Sequence, residues 1–306
     1  MQTILGSRLR PRPSQMTARE QSIMLDVEAE GETVRLQGLY SPHHNQPSKG
    51  LVLLLHGWLG CITSAYMVGR GAALYEAGYS VMRLNFRDHG GTEALNEGFF
   101  HGCRLEEMFQ ATHRITQFEP NQPFYIVGFS MGGNFALRLA GLHKERPIAN
   151  LEKVIAVCPS VDPDHSTRVV DQHPVYGYYF RRRWLNQLLA KEASFPHLYQ
   201  FTRYAKLKTC ITITEDFIAD YGDFPNATAY FRAYAVDQQK LTAIAVPTEI
   251  LTAADDPVIP VAAIKQLDGL NANVTVRVVP HGGHVGFVKT LFPLRSWLDE
   301  AVPNLL

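Results

Sequence analysis

Residues 124–141 read FYIVGFSMGGNFALRLAG, and this stretch decides the predicted fold. An apolar run over Phe124–Val127 meets a helix-forming run through the sequence Gly-Phe-Ser-Met-Gly at 128–132. A Gly-x-Ser-x-Gly turn between a strand and a helix is typical of a nucleophile elbow, whose crowded backbone requires small residues on both sides of the serine. The pattern predicts Ser130 as a nucleophile, and a glycine-rich turn capped by Ser130 is the alternative.

Further short apolar runs, each typical of a strand buried on both faces, lie on either side of this stretch. The predicted strands are 51–55, 79–84, 124–127, 154–157, 248–251 and 274–279. Helical patterns lie between most of them, at 65–76, 104–117, 131–143 and 260–267. This alternation predicts an α/β fold with a mostly parallel central sheet and helices on both faces.

The segment 161–241 interrupts the alternation of strands and helices. It is rich in Tyr, Phe and Arg, has no clear strand, and is too long for an ordinary connection. We therefore expect an inserted helical cap at 161–241, on a core domain formed by residues 1–160 and 242–306.

Both ends of the chain lie outside the alternating region. Residues 22–40 predict a β-hairpin whose turn falls at 30–32. Residues 285–302 predict a closing helix, and the first 20 residues predict an irregular arm.

The composition indicates a large apolar core and no strong net electrostatic field. Apolar residues make up 46% of the 306 residues, and 29 basic residues balance 29 acidic ones. Because nucleic-acid binding usually needs a basic footprint, we expect no nucleic-acid partner. No apolar run reaches about 18 residues and no secretory segment opens the chain, so we expect no transmembrane segment and a cytoplasmic location. The four widely spaced cysteines favour free thiols over disulfides or a zinc site.

Acyl transfer at a serine needs two hydrogen-bond donors for the oxyanion of the reaction intermediate. One predicted donor is the backbone N–H of Met131, the residue after the nucleophile. The other is the backbone N–H of Trp58, because strand 51–55 ends in His-Gly-Trp at 56–58 and glycine allows close approach of the backbone. His56 is interpreted as a structural residue of this loop, with a catalytic role as the alternative.

Candidates for the acid and the base follow the last two predicted strands. A triad that runs Ser, Asp, His along the chain places the acid at Asp255 or Asp256. Only one of two neighbouring residues is expected to face the histidine, and we choose Asp256 because it lies four residues before the next helix-opening proline. His284 is the predicted general base and His281 its rival. The spacing of His281 and His284 could also indicate a metal site. No further ligand with suitable spacing accompanies them, so we expect no bound metal.

Together these motifs resemble the YheT-like branch of the α/β-hydrolase fold, which includes animal alpha/beta-hydrolase-domain enzymes. The matching pieces are LVLLLHGWLG (51–60), YSVMRLNFRDHGG (79–91), GFFHGC (98–103), FYIVGFSMGGNFALRLAG (124–141), LTAADDPVIP (251–260) and HGGHVGFV (281–288). The resemblance implies a serine hydrolase of acyl or lipid-like carboxylic esters. Carried over residue by residue, it places the triad on Ser130, Asp256 and His284.

Charged residues of the matched middle region and of the cap need a separate interpretation. Arg87, Asp88 and His101 are interpreted as structural residues, which brace the oxyanion loop or pair on the surface. The run Arg181-Arg182-Arg183 is interpreted as a solvated helix face, and contact with an anionic headgroup is the alternative.

The expected function is a cofactor-free esterase that hydrolyses a small-molecule ester through an acyl-enzyme. The alternatives are an acyltransferase with the same triad and a non-catalytic ligand-binding protein of this fold. A Rossmann oxidoreductase is excluded, because strand 51–55 does not lead into a Gly-x-Gly-x-x-Gly turn. Aromatic residues expected to line an acyl pocket are Tyr176, Tyr178, Tyr179 and Phe180.

Overall fold

The computed structural model describes residues 14–291 and 294–306, and one eight-stranded sheet runs through it. Its strands are β1 (Gln21–Ala29), β2 (Glu32–Ser41), β3 (Leu51–Leu55), β4 (Ser80–Leu84), β5 (Phe124–Phe129), β6 (Leu151–Val157), β7 (Thr248–Ala253) and β8 (Val274–Val279). They lie in the order β1-β2-β4-β3-β5-β6-β7-β8, with β2 antiparallel to β1 and β4 and all other pairs parallel. The predicted α/β fold class is therefore confirmed.

Helices alternate with these strands along the chain. They are α1 (Gln15–Ala18), α2 (Ala65–Glu76), α3 (Leu105–Thr116), α4 (Met131–Leu142), α5 (Pro163–Gln172), α6 (Pro174–Ser194), α7 (Cys210–Tyr221), α8 (Ala227–Tyr234), α9 (Gln238–Thr242), α10 (Val261–Lys265) and α11 (Leu298–Leu305). A 3₁₀ helix spans Phe201–Lys206. Among the described residues, none of these helices combines the length and the apolar character needed to cross a membrane.

The central strands are buried on both faces because helices cover both sides of the sheet. One hydrophobic cluster contains Phe135 of α4 and Met108 of α3. The other contains Leu74 of α2 and Leu298 of α11. Every residue of β3 is buried, which explains why this strand reads as the continuous apolar run LVLLL and not as an alternating pattern.

The register of the parallel strands brings the functional loops together. Leu55 pairs with Gly128, and Phe129 pairs with Val157, so β3, β5 and β6 end side by side. The ends of β7 and β8 adjoin them, since Ala253 pairs with Val279. The loops that follow these five strands therefore open at one edge of the sheet, where ligands bind in open α/β sheets.

A helical insertion separates β6 from β7. Helices α5 to α9 and the 3₁₀ helix occupy this segment, and none of its residues forms a strand. Buried residues of the insertion, including Val170 and Phe217, share one hydrophobic cluster with the sheet. We propose that residues 161–241 form a cap domain on a core of 1–160 and 242–306, of which 1–13 and 292–293 lie outside the described residues.

The prediction from the sequence succeeds better at the N-terminal end of the chain than at the C-terminal end. The predicted hairpin is present as β1 and β2, with Glu30 and Gly31 at positive φ in its turn. The predicted closing helix at 285–302 is wrong in its first part, because Val288–Leu291 and Leu294–Ser296 form a two-stranded hairpin and α11 begins only at Leu298. The predicted irregular arm contains α1 in its described part, and its residues 1–13 lie outside the described residues.

Candidate active site

Ser130 occupies the sharp turn between β5 and α4. Its φ of 55° and ψ of −113° are strained for a residue with a side chain. The turn is held by its own backbone: Ser130 N donates to Val157 O at 2.9 Å, and Ser160 N donates to Ser130 O at 3.2 Å. The side chain makes no capping hydrogen bond to α4. This geometry is that of a nucleophile elbow and does not match the alternative of a simple helix cap.

Two glycines make the elbow possible. A Cβ atom added at Gly128 would meet the carbonyl oxygen of Gly132 within 3.0 Å, and one at Gly132 would meet the carbonyl oxygen of Leu55 as closely. Because backbone atoms cannot move aside as a flexible side chain can, both positions exclude any larger residue. The glycines therefore let α4 start directly against the end of β3.

Asp256 and His284 form a buried hydrogen-bonded pair at the ends of β7 and β8. His284 Nδ1 lies 2.9 Å from Asp256 Oδ2, and their side chains are 8% and 0% exposed. The other carboxylate oxygen, Oδ1, accepts the backbone N–H groups of Val258 at 2.8 Å and Ile259 at 3.0 Å. The carboxylate is thus fixed on both sides and can orient the imidazole ring.

The neighbouring Asp255 faces the other way and makes a different set of contacts. Its Oδ1 accepts the backbone N–H groups of Gly282 and Gly283, both at 2.8 Å. Its Oδ2 lies 3.6 Å from Nδ1 of His281, whose side chain is 82% exposed. Burial alone would raise the pKa of Asp255, but the amides of Gly283 and Gly282 outweigh it and hold the pKa below its ordinary value. Asp255 and His281 therefore brace the loop at the surface.

Cys158, at the end of β6, lies beside the Asp256–His284 pair. The ligand atoms of these three residues lie within 4.8 Å of one another, a spacing that a metal ion could bridge. Burial, reinforced by the Asp256 carboxylate, raises the pKa of the Cys158 thiol well above its ordinary value. A neutral thiol is a poor metal ligand compared with a thiolate, so the group fits a hydrogen-bonded pair better than a metal centre.

The loop after β3 runs against the elbow. A Cβ atom at Gly57 would lie 3.2 Å from Cβ of Ser130, so this loop packs tightly against the serine. Gly57 N donates to the Tyr66 hydroxyl at 2.8 Å and Leu59 N donates to His89 Nε2 at 3.2 Å. Within residues 14–291 and 294–306, no acceptor is recorded for the backbone N–H of Trp58 or of Met131. The two predicted oxyanion donors are therefore uncommitted.

Two buried histidines hold this loop in place. His56 receives the backbone N–H of Phe86 at Nε2 (3.1 Å), and its Nδ1 lies 2.8 Å from Gly57 O. His89 Nδ1 lies 2.7 Å from Arg87 O, which leaves Nε2 to accept from Leu59. Burial lowers the pKa of His89 to about 4 and that of His56 well below its ordinary value. Both rings are neutral at pH 7 and act as fixed hydrogen-bonding groups, so His56 has the contacts of a structural residue.

Helix α6 of the cap packs directly on the same loop. The Trp58 ring stacks on Phe180 with centroids 5.8 Å apart and meets Trp184 edge-on at 5.1 Å. Arg183 donates to Leu59 O at 2.5 Å. Arg181 donates to the carbonyl oxygens of Leu207 and Ala205 inside the cap. The arginine run is therefore not simply a solvated face, because two of its three members bind backbone carbonyls.

Two turns further along α6, Lys191 is a buried cation that the sequence does not reveal. Its Nζ lies 2.9 Å from Asp88 Oδ1, and both residues are at most 3% exposed. The same nitrogen donates to the backbone oxygens of Glu93, Asn96 and Gly98 at 2.5–3.1 Å. Burial raises the pKa of Asp88 to about 6 against the opposing effect of Lys191. No sequence signal separates such a lysine from a surface lysine of an amphipathic helix.

Arg87 and His101 are also buried or partly buried and do not pair on the surface. The Arg87 guanidinium, whose side chain is 0% exposed, bridges Glu107 and Glu32 at 2.8 Å. His101 accepts the backbone N–H of Cys103 at 3.2 Å. The sequence left open whether Arg87 braces the interior or pairs on the surface, and its contacts are those of an internal brace.

A cavity between the cap and the sheet contains the elbow. Its empty volume, counted with its open mouth, is about 1030 Å³. Ser130, Met131 and Trp58 line it, and so do Val258 and Ile259, whose amides hold Asp256. Of the four aromatic residues expected there, Phe180 lines the cavity. The prediction is wrong for Tyr176, Tyr178 and Tyr179, which are not among the lining residues, and Tyr178 is 61% exposed.

Comparison with known proteins agrees with this architecture. A family model described as "alpha/beta hydrolase fold" matches residues 50–290. The chain is 26% identical to "Putative esterase slr0264" of Synechocystis sp., covering 88% of this chain and 79% of that protein. It is 28% identical to "Putative esterase YheT" of Escherichia coli strain K12, covering 90% and 82%. It is 22% identical to "Phospholipase ABHD3" of Mus musculus, covering 81% and 61%.

Solved structures of lower identity share the fold. The esterase Pf2001 of Pyrococcus furiosus superposes with a TM-score of 0.60 at 16% identity, covering 98% of this chain and 97% of that one. Est1E of Butyrivibrio proteoclasticus gives a TM-score of 0.57 at 15% identity, covering 92% and 96%. At these identities the likeness concerns the arrangement of strands and helices alone.

Proposed function

Because the chain belongs to the alpha/beta hydrolase fold family, we propose that it is a serine hydrolase that cleaves carboxylic esters of small molecules. The two curated relatives named as esterases, which align with most of this chain, support this activity and confirm the YheT-like resemblance. The observation that carries the proposal is the buried Asp256–His284 hydrogen bond, which lies at the same edge of the sheet as the strained Ser130. A histidine oriented in this way is what a serine needs to become a nucleophile.

In the proposed reaction, Ser130 Oγ attacks the ester carbonyl while His284 takes its proton. Asp256 holds the ring in one tautomer and stabilises the imidazolium that forms. The carbonyl oxygen becomes an oxyanion, which the backbone N–H groups of Trp58 and Met131 stabilise, each donor contributing about 3 to 4 kcal/mol to the transition state. His284 then protonates the departing alcohol, and the acyl group stays on Ser130.

The second half of the reaction repeats these steps with water. His284 removes a proton from a water molecule, which attacks the acyl-enzyme, and the oxyanion forms again at the same two donors. Collapse of this intermediate releases the carboxylic acid and returns the proton to Ser130. The positive end of the α4 dipole beside Ser130 supports the negative charge in both halves.

Steady-state hydrolysis of p-nitrophenyl esters of graded chain length tests the proposal. The wild type is expected to release p-nitrophenol, and Ser130→Ala is expected to lower kcat by roughly 10⁶-fold. Ser194→Ala makes the same chemical change at a half-buried serine that donates to Ala190 O and does not line the cavity, so it is expected to keep full activity. The proposal would be contradicted if the wild type hydrolysed none of the esters, or if Ser130→Ala hydrolysed them at wild-type rates.

A further inference from the structure

Most polar side chains that line the cavity are already hydrogen-bonded within the protein. Those whose polar atoms are bound in this way are Ser166 to Asp162 O, Thr167 to Pro163 O, Thr214 to Cys210 O, Gln187 to Asp88 O, and Lys191 to Asp88 and three carbonyl oxygens. These side chains therefore already use a donor within the protein. The wall of the cavity is therefore mainly apolar to a bound molecule, although many polar residues contribute to it.

His101 is different, because it lines the cavity and one of its two ring nitrogens has no partner among the residues that the structure describes. Its Nδ1 accepts the backbone N–H of Cys103 at 3.2 Å, and an amide nitrogen can only donate. In the neutral ring the proton must then sit on Nε2. The structure records no partner for Nε2 within residues 14–291 and 294–306, and this atom is not sealed off from open space. Since His101 lines the cavity, Nε2–H is a donor available to a ligand.

The surroundings of His101 fix both its charge and its position. Burial lowers the pKa of His101 to about 3, and the positive charges of Arg104, Arg87 and Arg138 act in the same direction. The imidazole is therefore neutral across the physiological range. Phe99 packs edge-on against the ring at 5.7 Å, which limits its rotation. A neutral donor held in an apolar wall selects an acceptor oxygen and rejects an alkyl group of similar size, since burying an unpaired donor is costly.

We propose that His101 Nε2–H is a substrate-binding point for a neutral hydrogen-bond-accepting oxygen in the acyl chain. The inference rests on the proposed function and narrows its substrates to esters whose enclosed acyl group carries a keto, ether or second ester oxygen. A plain alkanoyl ester would leave this donor unpaired. The scissile carbonyl itself is bound elsewhere, at Trp58 and Met131.

The test compares p-nitrophenyl alkanoates with keto-alkanoates of the same chain length. The keto group is moved along the acyl chain one carbon at a time. The series starts at a carbon far enough from the ester that the keto group does not change the intrinsic reactivity of the ester carbonyl. Wild type is expected to favour the keto ester in kcat/KM by about 3- to 10-fold at one position, the value of one neutral hydrogen bond. His101→Phe is expected to lose this preference while it still hydrolyses the plain esters. His101→Gln, which retains a donor, is expected to keep part of it.

A matched control makes the same change outside the cavity. His113 is exposed on α3, so His113→Phe is expected to keep both the basal activity and the keto preference. Thermal unfolding of each variant checks that it folds, and His101→Leu replaces His101→Phe if the latter does not. No favoured keto position in the wild type, or a preference that survives at full size in a folded His101→Phe or His101→Leu protein, would overturn the proposal.

Failure of the subsite and failure of the proposed function give different results. If the wild type hydrolyses no ester at all, the proposed function fails, and the subsite is then measured by binding of the same esters. The fluorescence of Trp58 and Trp184, which line the cavity, reports that binding. The same keto preference and the same loss in the His101 variants are expected in the dissociation constants, and equal affinities would overturn the subsite.

Discussion

The carboxylates of Asp255 and Asp256 are adjacent in the chain but bind different partners. The side chain of Asp256 is fully buried against His284, whereas that of Asp255 is 40% exposed and accepts the amides of Gly282 and Gly283. We predict that Asp256→Asn lowers kcat by about 10⁴-fold, because the amide favours the wrong histidine tautomer. Asp255→Asn is the matched control, and its kcat is expected to fall less than about 10-fold. If the two variants lost ester hydrolysis to the same extent, the assignment of Asp256 as the acid of the triad would be wrong.

His89 gives a prediction about pH and stability. Its pKa is lowered from 6.5 to about 4 in the folded protein, with burial as the main cause. Between these two values the unfolded chain binds more protons at this residue than the folded chain does. The free energy of unfolding therefore falls as the pH falls through this window, by up to about 1.4 kcal/mol per pH unit. The contribution of neutral His89 is fully present above pH 6.5.

Urea unfolding of wild type and His89→Gln at several pH values measures this effect. Since Gln does not titrate, the wild type is expected to lose stability relative to the variant as the pH is lowered from 7 to about 4.5. The other histidines are common to both proteins. His56, whose ring lies 5.0 Å from His89, is the one with a pKa that depends on His89, and since burial is the main cause of its lowered pKa, its contribution largely cancels in the difference. A difference that stays constant over this range would show that His89 titrates normally in the fold.

At the scale of the element, the junction of β3, β5 and α4 depends on Gly132. A methyl group there would clash with the backbone carbonyl of Leu55, so Gly132→Ala must push α4 away from the sheet. We expect a loss of about 3 kcal/mol or more in the free energy of unfolding, together with loss of ester hydrolysis.

Gly69→Ala in α2 is the matched control for this change. A Cβ atom at Gly69 meets nothing within 4 Å, so the substitution is expected to stabilise the protein by about 0.5 to 1 kcal/mol. Guanidinium unfolding measures both variants. If Gly132→Ala and Gly69→Ala had similar stability, the close contact between Gly132 and Leu55 would not be what requires glycine in this turn.

Helix α6 is joined to the core by the buried Lys191–Asp88 pair, which gives the next prediction. Lys191→Met leaves the Asp88 carboxylate buried without a counter-charge, and we expect a loss of about 3 to 5 kcal/mol in stability. The double variant Asp88→Asn/Lys191→Met removes both charges and is expected to recover part of the loss. Chemical denaturation measures both. A double variant no more stable than the single one would mean that charge burial is not the cause.

Across the whole molecule, the sheet was predictable because its central strands are buried on both faces. Runs such as Leu51–Leu55 read as uninterrupted apolar segments, and the helices between them show their own period. The closing helix was predicted wrongly because Val288–Leu291 pairs with the short strand Leu294–Ser296, a tertiary outcome that periodicity does not encode. The sequence indicated that the cap is helical but did not locate its individual helices.

The site was predictable to the extent that its residues lie at strand ends. Ser130, Asp256 and His284 each follow a buried strand, and parallel strands bring such ends to one edge. The structure pairs Asp256 with His284 and sets Ser130 in a strained turn, while their catalytic roles remain a prediction. The contacts of α6 with Trp58 and the place of Lys191 could not be predicted, because they join segments more than 90 residues apart with no motif in common.

Reaction with a fluorophosphonate, followed by intact-protein mass and peptide mapping, tests the central claim most directly. Such probes modify only a serine that is activated as a nucleophile, whatever the natural ester is. We predict one adduct per chain, located at Ser130, with none on Ser130→Ala and strongly slowed labelling of Asp256→Asn. An unlabelled wild type, or an adduct that forms on another residue and persists in Ser130→Ala, would contradict the account.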